Sequence, residues 1–422
     1  MILLELNEFN AELLNKAANE LGLKNLQRLC SFKHTVTESE EKLERFGLDP
    51  WVQWPSIHTG KPVAEHGLTH LADAYKLKQK QLWDILSEND IACGIWGPMN
   101  AKLIANDNIK FFFPDPWTYT ESAKPSELNR LLALPRYYAQ NYLSLKKGKT
   151  VSSFFKTFSF FLNPKLFFKA ASYLPFIVRN CWGKKINSTL LFSIFDLINA
   201  IGFKHYCVRE NADFKLIFLN SVAHCQHHCW TDKDKLSAEM KALFKFLDES
   251  VGLIFSNAKE EEPILVCNAF SQYCSIESKE FLYRQIDPAK FFKALGVNAE
   301  CEQLMTNDSQ LLFLDRGDAE RALDTLSEIK VVGKDLMEVT RDPENERRLF
   351  CQVLIWDEVP EGTEFQSGSQ SINFYQHFEK VVQRSGSHLS SGNIFSNMVD
   401  LPDKMTNYRL FDHILDYYGV SR

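Results

Sequence analysis

"FKLIFLNSVAHCQHHCW", residues 214–230, decides how the rest of the chain is read. Its first six residues are an uninterrupted apolar run, which predicts a strand buried on both faces. The run stops at Asn220, and three histidines follow within eight residues. If the segment after Asn220 is helical, His224 and His228 share a face at i, i+4, with His227 beside them. Two imidazoles at that spacing suit one transition-metal ion. Cys225 and Cys229 form a second i, i+4 pair, turned by roughly 100°. The alternative is that these histidines serve structural hydrogen bonds near a pocket.

The pattern of a short apolar strand followed by helix recurs outward from this stretch. Ile2 to Leu6, Ile91 to Trp96 and Pro263 to Cys267 predict strands. Asn10 to Arg28, capped by Asn10, Gln81 to Asn89 and Lys233 to Ser256 predict helices. Alternation of this kind predicts an α/β fold, three layers α/β/α around a mostly parallel central sheet. In such sheets the chemistry gathers beyond the C-terminal ends of the strands. Residues 120–210 break the rhythm: they read as an inserted helical, Phe-rich lid between core segments 1–119 and 211–422.

The chain has 422 residues, 45% hydrophobic and 24% charged, with a net charge of -6. That balance carries no basic footprint and argues against nucleic acid as a partner. Ten scattered cysteines without a Cys-x-x-Cys spacing, and a start without a basic n-region, predict a cytoplasmic protein with reduced thiols.

Other stretches carry polar residues in loop-like settings. In LDPWVQWPSIHTGKPVAEHG, residues 48–67, Ser56 and Thr59 can cap a helix or face a phosphate. Ser56 also lies close to His58, which raises the possibility of a base-activated nucleophile. Trp51, Trp54 and Trp117 can stack on a sugar or simply pack. His388 sits in a Gly/Ser-rich segment, 385–396, with freedom to reach a site or to remain solvated.

Taken in order, these strand-end motifs resemble the alkaline phosphatase superfamily, which includes sulfatases and type I phosphodiesterases/nucleotide pyrophosphatases. The match runs from the first strand with Asn7, through Thr59-Gly60 and His66-Gly67, to Asn220-x-x-x-His224, Asn268-Ala269 and the late His388. The resemblance implies a phosphate- or sulfate-ester hydrolase or transferase. It carries over His224 and His388 as metal or phosphate contacts and little else. Asn7, Thr59, Asn220, Asn268 and Trp54 are the residues expected to bind substrate. The chain departs from the family where it matters most. Asn stands at three positions that hold metal-binding Asp in the family. The position of the family nucleophile falls on Pro50 and Trp51.

Three readings follow. One is a rebuilt site with a single zinc or manganese held by Glu5, His224, His228 and His388, or no metal at all, with His224 and His228 as acid and base. The second is a catalytically silent member that binds a phosphate or sugar. The third makes Ser56 the nucleophile. The expected ligand is a small molecule or glycan ester. Residues 151–185 add a further expectation. Seven Phe between 154 and 168, interleaved with lysines, read either as packing for the lid or as a membrane-surface face.

Overall fold

The computed structural model describes residues 1–39, 48–183, 187–277, 281–304 and 307–422. Lys184 and Lys185, at the end of the basic Phe-rich run, lie outside the described residues. The chain divides into two compact units. The first, residues 1–133, 155–276 and 385–422, holds the central sheet. The second combines 134–154 with 277–384. The segment 211–422, expected as continuous core, is therefore split, because 277–384 closes its own hydrophobic core around Phe291, Leu326, Leu349 and Phe374. That unit is built on an antiparallel sheet of Met337–Asp342, Asn345–Val353, Asp308–Leu312 and Glu300–Gln303, in that order.

The central sheet of the first unit draws on β1 (Ile2–Leu6), β2 (Lys33–Glu38), β3 (Cys93–Trp96), β4 (Ile109–Phe113), β5 (Phe214–Leu219) and β6 (Ile264–Cys267). After these come a short strand β7 (Ser271–Cys274) and its partner β8 (Gly386–Leu389). The sheet is completed by β9 (Ser391–Ser396) and β10 (Lys404–Thr406). The order is β10-β2-β9-β6-β1-β5-β3-β4. β9 alone runs antiparallel to its neighbours. All other pairings within this eight-stranded sheet are parallel, while β7 and β8 pair antiparallel as a separate ribbon.

β1, β5 and β6 are buried along their whole length, as continuous apolar runs at the centre of a covered sheet must be. Leu4, Leu6, Ile217 and Val266 face one helical layer, made by α1 (Ala11–Glu20), α3 (Ser188–Glu210) and α5 (Ala238–Phe255). The other face carries Glu5 and Phe218 against α2 (Pro50–Thr59), through a Trp54–Phe218 ring contact at 5.5 Å and a Glu5–His58 bond at 2.8 Å. The α/β/α layering expected from the sequence is thus present. α1 starts where the sequence put it, with the Asn10 side chain accepting from the Leu13 N–H at 2.8 Å. Among the described residues no helix is long and apolar enough to cross a membrane.

Candidate metal centre

Three strand ends converge. β1 stops at Leu6, and the chain turns through Asn7 into Glu8, which adopts a left-handed backbone with φ 55°. For a residue with a Cβ this costs on the order of 1 kcal/mol and persists only where the surroundings impose it. Here they do: the Gln226 side chain donates to the Glu8 carbonyl at 2.8 Å and accepts from the Asn10 N–H at 3.0 Å. β5 leads into α4 (Ser221–His228), whose first turn is held by Asp196 of α3 through the Ser221 N–H at 2.8 Å. β6 leads to β7, and β8 pairs with it so that His388 lies opposite Gln272.

These turns bring together Glu8, His227 and His388. Oε2 of Glu8 lies 3.1 Å from Nε2 of His227 and 3.2 Å from Nε2 of His388. The two nitrogens are 3.4 Å apart. The Gln272 amide donates to the same carboxylate oxygen and to the Ala223 carbonyl, and Asn7 donates to Oε1 at 3.2 Å. Burial pushes the Glu8 carboxyl up, but the opposing charges of His388 and His227 and their hydrogen bonds outweigh it and hold the group well below the usual range. The carboxylate is buried, whereas both histidines are partly open to solvent.

The triangle of 3.1, 3.2 and 3.4 Å has the dimensions of a metal site. Three donors at roughly 2.0–2.1 Å from a tetrahedral ion stand about 3.3 Å from one another. Two imidazoles and one carboxylate are a catalytic-type donor set that leaves a position open. Nδ1 of His227 faces the Gly386 carbonyl at 3.4 Å. With its hydrogen on Nδ1 toward that carbonyl, the ring would offer the Nε2 lone pair to a bound cation in place of its contact with Glu8.

Of the metal ligands expected from the sequence, only His388 belongs to this group. Glu5 points through the sheet to His58, because it shares the strand face of α2. His224 and His228 do lie side by side, ring centroids 4.9 Å apart, but on another side of α4 from His227. His224 packs on Phe192 at 4.4 Å. Burial, with a smaller contribution from His227, pushes it down to about 3, which keeps the ring neutral at neutral pH.

The remaining candidates serve the scaffold. Leu68 N–H donates to Nδ1 of His66, so the hydrogen of that ring sits on Nε2 and is given to the Ser56 hydroxyl 2.9 Å away. The Ser56 hydroxyl in turn faces the Val52 carbonyl at 3.3 Å. A histidine donating to a serine is not placed to take its proton, so His66 in this arrangement lends Ser56 no base. The Thr59 hydroxyl donates to Pro55 O at 2.7 Å within its own helix. Trp54 is fully buried and donates to Asn7 Oδ1 at 2.9 Å; Asn7 donates onward to Asn220 Oδ1 at 2.8 Å. Asn268 ties the Phe9 carbonyl (2.7 Å) to the Asn393 N–H (2.6 Å). These asparagines are spent on backbone and neighbouring amides, so the paired-metal arrangement of carboxylates does not fit this chain. Sequence reading assigns Glu8, His227 and Gln272 no ligand or binding role, although His227 stands beside His224 and His228 in the same run. The signal available was only their position just past three strand ends.

No family model and no curated protein matches the sequence. Solved structures do. Phosphonoacetate hydrolase from Sinorhizobium meliloti 1021, in complex with phosphonoformate, is 10% identical with a TM-score of 0.43, covering 98% of this chain and 94% of that one. Murine ectonucleotide pyrophosphatase/phosphodiesterase 5 is 11% identical with a TM-score of 0.46, over 100% and 95%. A mutant of TAB5 alkaline phosphatase with magnesium bound is 11% identical with a TM-score of 0.39, over 100% and 98%. All three are alkaline phosphatase superfamily members, the family that the sequence motifs resemble. Identities and scores this low leave the site to be read from its own geometry.

Proposed function

We propose that the chain is a hydrolase or transferase of a phosphate- or sulfate-type ester, working at a single divalent-metal centre held by Glu8, His227 and His388. The observation that carries this reading is the donor triangle, sized for one ion and assembled past three strand ends. Zinc or manganese bound there would supply Lewis-acid stabilisation of an anionic oxygen and would acidify water. One carboxylate against two positive charges leaves the centre with a net charge of about +1. Asn7, Asn220 and Asn268 add no compensating negative charge, and such a centre favours an anionic ester. Gln272 fixes the Glu8 carboxylate, and Gly386 orients His227. Since Ser56 is committed to His66 and Val52, water is the attacking group. A sugar or glycan as the alcohol part gains no support from Trp51, Trp54 or Trp117, which are buried.

The test is metal content of the purified protein beside a His227→Ala/His388→Ala variant, followed by a panel of phosphate and sulfate esters. One ion per chain, lost in the variant, with metal-dependent turnover is the expected result. Metal without turnover on any ester points instead to a silent binding member. No metal, and none taken up on soaking, removes the centre altogether.

A further inference from the structure

We propose that the helical pair Pro164–Ser172 and Leu174–Cys181 is a docking surface for an anionic lipid bilayer. Both helices are firmly attached on one side. Asn163 caps the first through the Lys165 N–H at 3.0 Å, and Leu166 is buried beneath it. Phe176 of the second packs its ring 5.0 Å from Phe246 on α5. The opposite side is apolar and open. Leu174, Val178 and Trp182 recur at i, i+4, i+8 and so form one stripe, 56%, 51% and 81% exposed. Phe168 and Leu162, on the adjoining helix and turn, are 71% and 69% exposed. Large apolar side chains are seldom left in water in such a cluster without a partner surface.

Charge identifies the partner. Between Leu128 and Phe195 the sequence holds eleven Lys and Arg and no Asp or Glu, in a chain whose total is -6. Lys165, Lys169 and Arg179 are exposed on the two helices themselves. Nζ of Lys169 lies 5.1 Å from the Tyr173 ring centroid, an aliphatic stem on apolar surface with its charge at the rim. An apolar stripe on helices whose own charged residues are all cations, with Glu249 of α5 the acidic group beside Lys169 and Tyr173, is the pattern of a segment lying in the headgroup region of a negatively charged leaflet. It also disfavours a second copy of this chain, whose identical face would repel it.

The full-length protein is sedimented with vesicles of equal parts phosphatidylcholine and phosphatidylserine, and with phosphatidylcholine alone. Binding to the mixed vesicles only, reversed by salt, is expected. Lys165→Gln/Lys169→Gln/Arg179→Gln should lower the partition coefficient by about a hundredfold, at roughly a factor of five per charge. Leu174→Ser/Val178→Ser/Trp182→Ser should abolish binding. Quenching of tryptophan fluorescence by brominated lipid, diminished in Trp182→Phe alone, reads insertion without relying on a multiply substituted chain. Failure of the wild-type protein to bind the mixed vesicles overturns the proposal. So does a concentration-dependent dimer that Trp182→Ser dissolves, since the stripe would then belong to a protein interface.

Discussion

Nε2 of His227 and Nε2 of His388 stand 3.4 Å apart, and both face a single carboxylate oxygen, Oε2 of Glu8. Two protonated imidazoles at that separation repel each other, and one buried carboxylate only partly relieves them. With both nitrogens unprotonated, three lone-pair donors converge on one point, an arrangement that a cation satisfies best. The pairing is fixed from three directions: α4 carries His227, β8 carries His388, and the left-handed turn after β1 carries Glu8.

Glu8→Gln keeps the shape of the side chain and removes its charge. Zinc affinity, measured by calorimetry, should fall by at least about 100-fold, the upper range seen even for partners that only orient a ligand. In the metal-free protein the same substitution should flatten the acid limb of stability. The Glu8 carboxyl is depressed below its ordinary 4.5 in the fold. Its stabilisation is therefore complete above about 4.5 and lost as the pH falls through the lower folded value. Equal acid sensitivity in wild type and Glu8→Gln would show that Glu8 is not the ionised partner of the two histidines.

His66 makes a separate pH prediction. Burial, with a smaller contribution from His58, pushes it down from 6.5 to about 4. The unfolded chain then binds the proton first, so stability is full above pH 6.5 and falls between 6.5 and about 4, by about 3 kcal/mol in total. Denaturation midpoints across that range should show the slope, and His66→Gln should remove most of it. His66→Gln should leave metal binding unchanged, since His66 serves Ser56 rather than the Glu8 group. A metal-binding defect in this variant would contradict that division of roles.

The fold was legible in the sequence because apolar runs such as Ile2–Leu6 and Phe214–Leu219 can be buried on both faces only inside a covered parallel sheet. The site was half legible. His388 and the strand ends were visible. The choice between His227 and the His224/His228 pair was not, because helical periodicity gives shared faces and not which face meets the site. Glu8 was hidden for another reason. Its orientation depends on a positive φ imposed by Gln226, more than two hundred residues away, and no local pattern encodes that. The second unit was missed because its strands, such as Asn345–Val353, alternate polar and apolar residues and pair antiparallel. They give no contrast with surrounding loops in a reading tuned to buried parallel strands.

Gly386 is where β8 passes α4. A Cβ at this position would lie 2.2 Å from the Gln226 carbonyl oxygen, which is backbone and cannot swing aside. Gly386→Ala should thus separate β8 from α4 and carry His388 away from His227. The expected loss is about 1–3 kcal/mol of stability from overpacking, together with most of the metal affinity. Thermal unfolding and zinc titration of one preparation read both effects. Gly148→Ala, at a position with nothing within 4 Å of the added carbon, serves as the control.

Asn7→Asp asks why an amide occupies the end of β1. The Asn7 amide nitrogen donates to Glu8 Oε1 at 3.2 Å and to Asn220 Oδ1 at 2.8 Å, while its oxygen accepts from Trp54. Aspartate has the same shape but turns the donor into a second anion beside a buried carboxylate. Two such oxygens about 3 Å apart resist joint ionisation. In the absence of metal the variant should lose about 1–3 kcal/mol, the cost of an unsatisfied or repelling buried polar group. Divalent metal should restore part of that loss, because the added carboxylate is compensated only by a cation nearby. The comparison to make is the unfolding midpoint of wild type and Asn7→Asp, each with and without saturating zinc. A larger zinc-induced shift in the variant places the ion next to Asn7 and Glu8. An equal shift in both proteins would put the bound ion elsewhere and leave the Glu8, His227 and His388 cluster as a hydrogen-bonded knot.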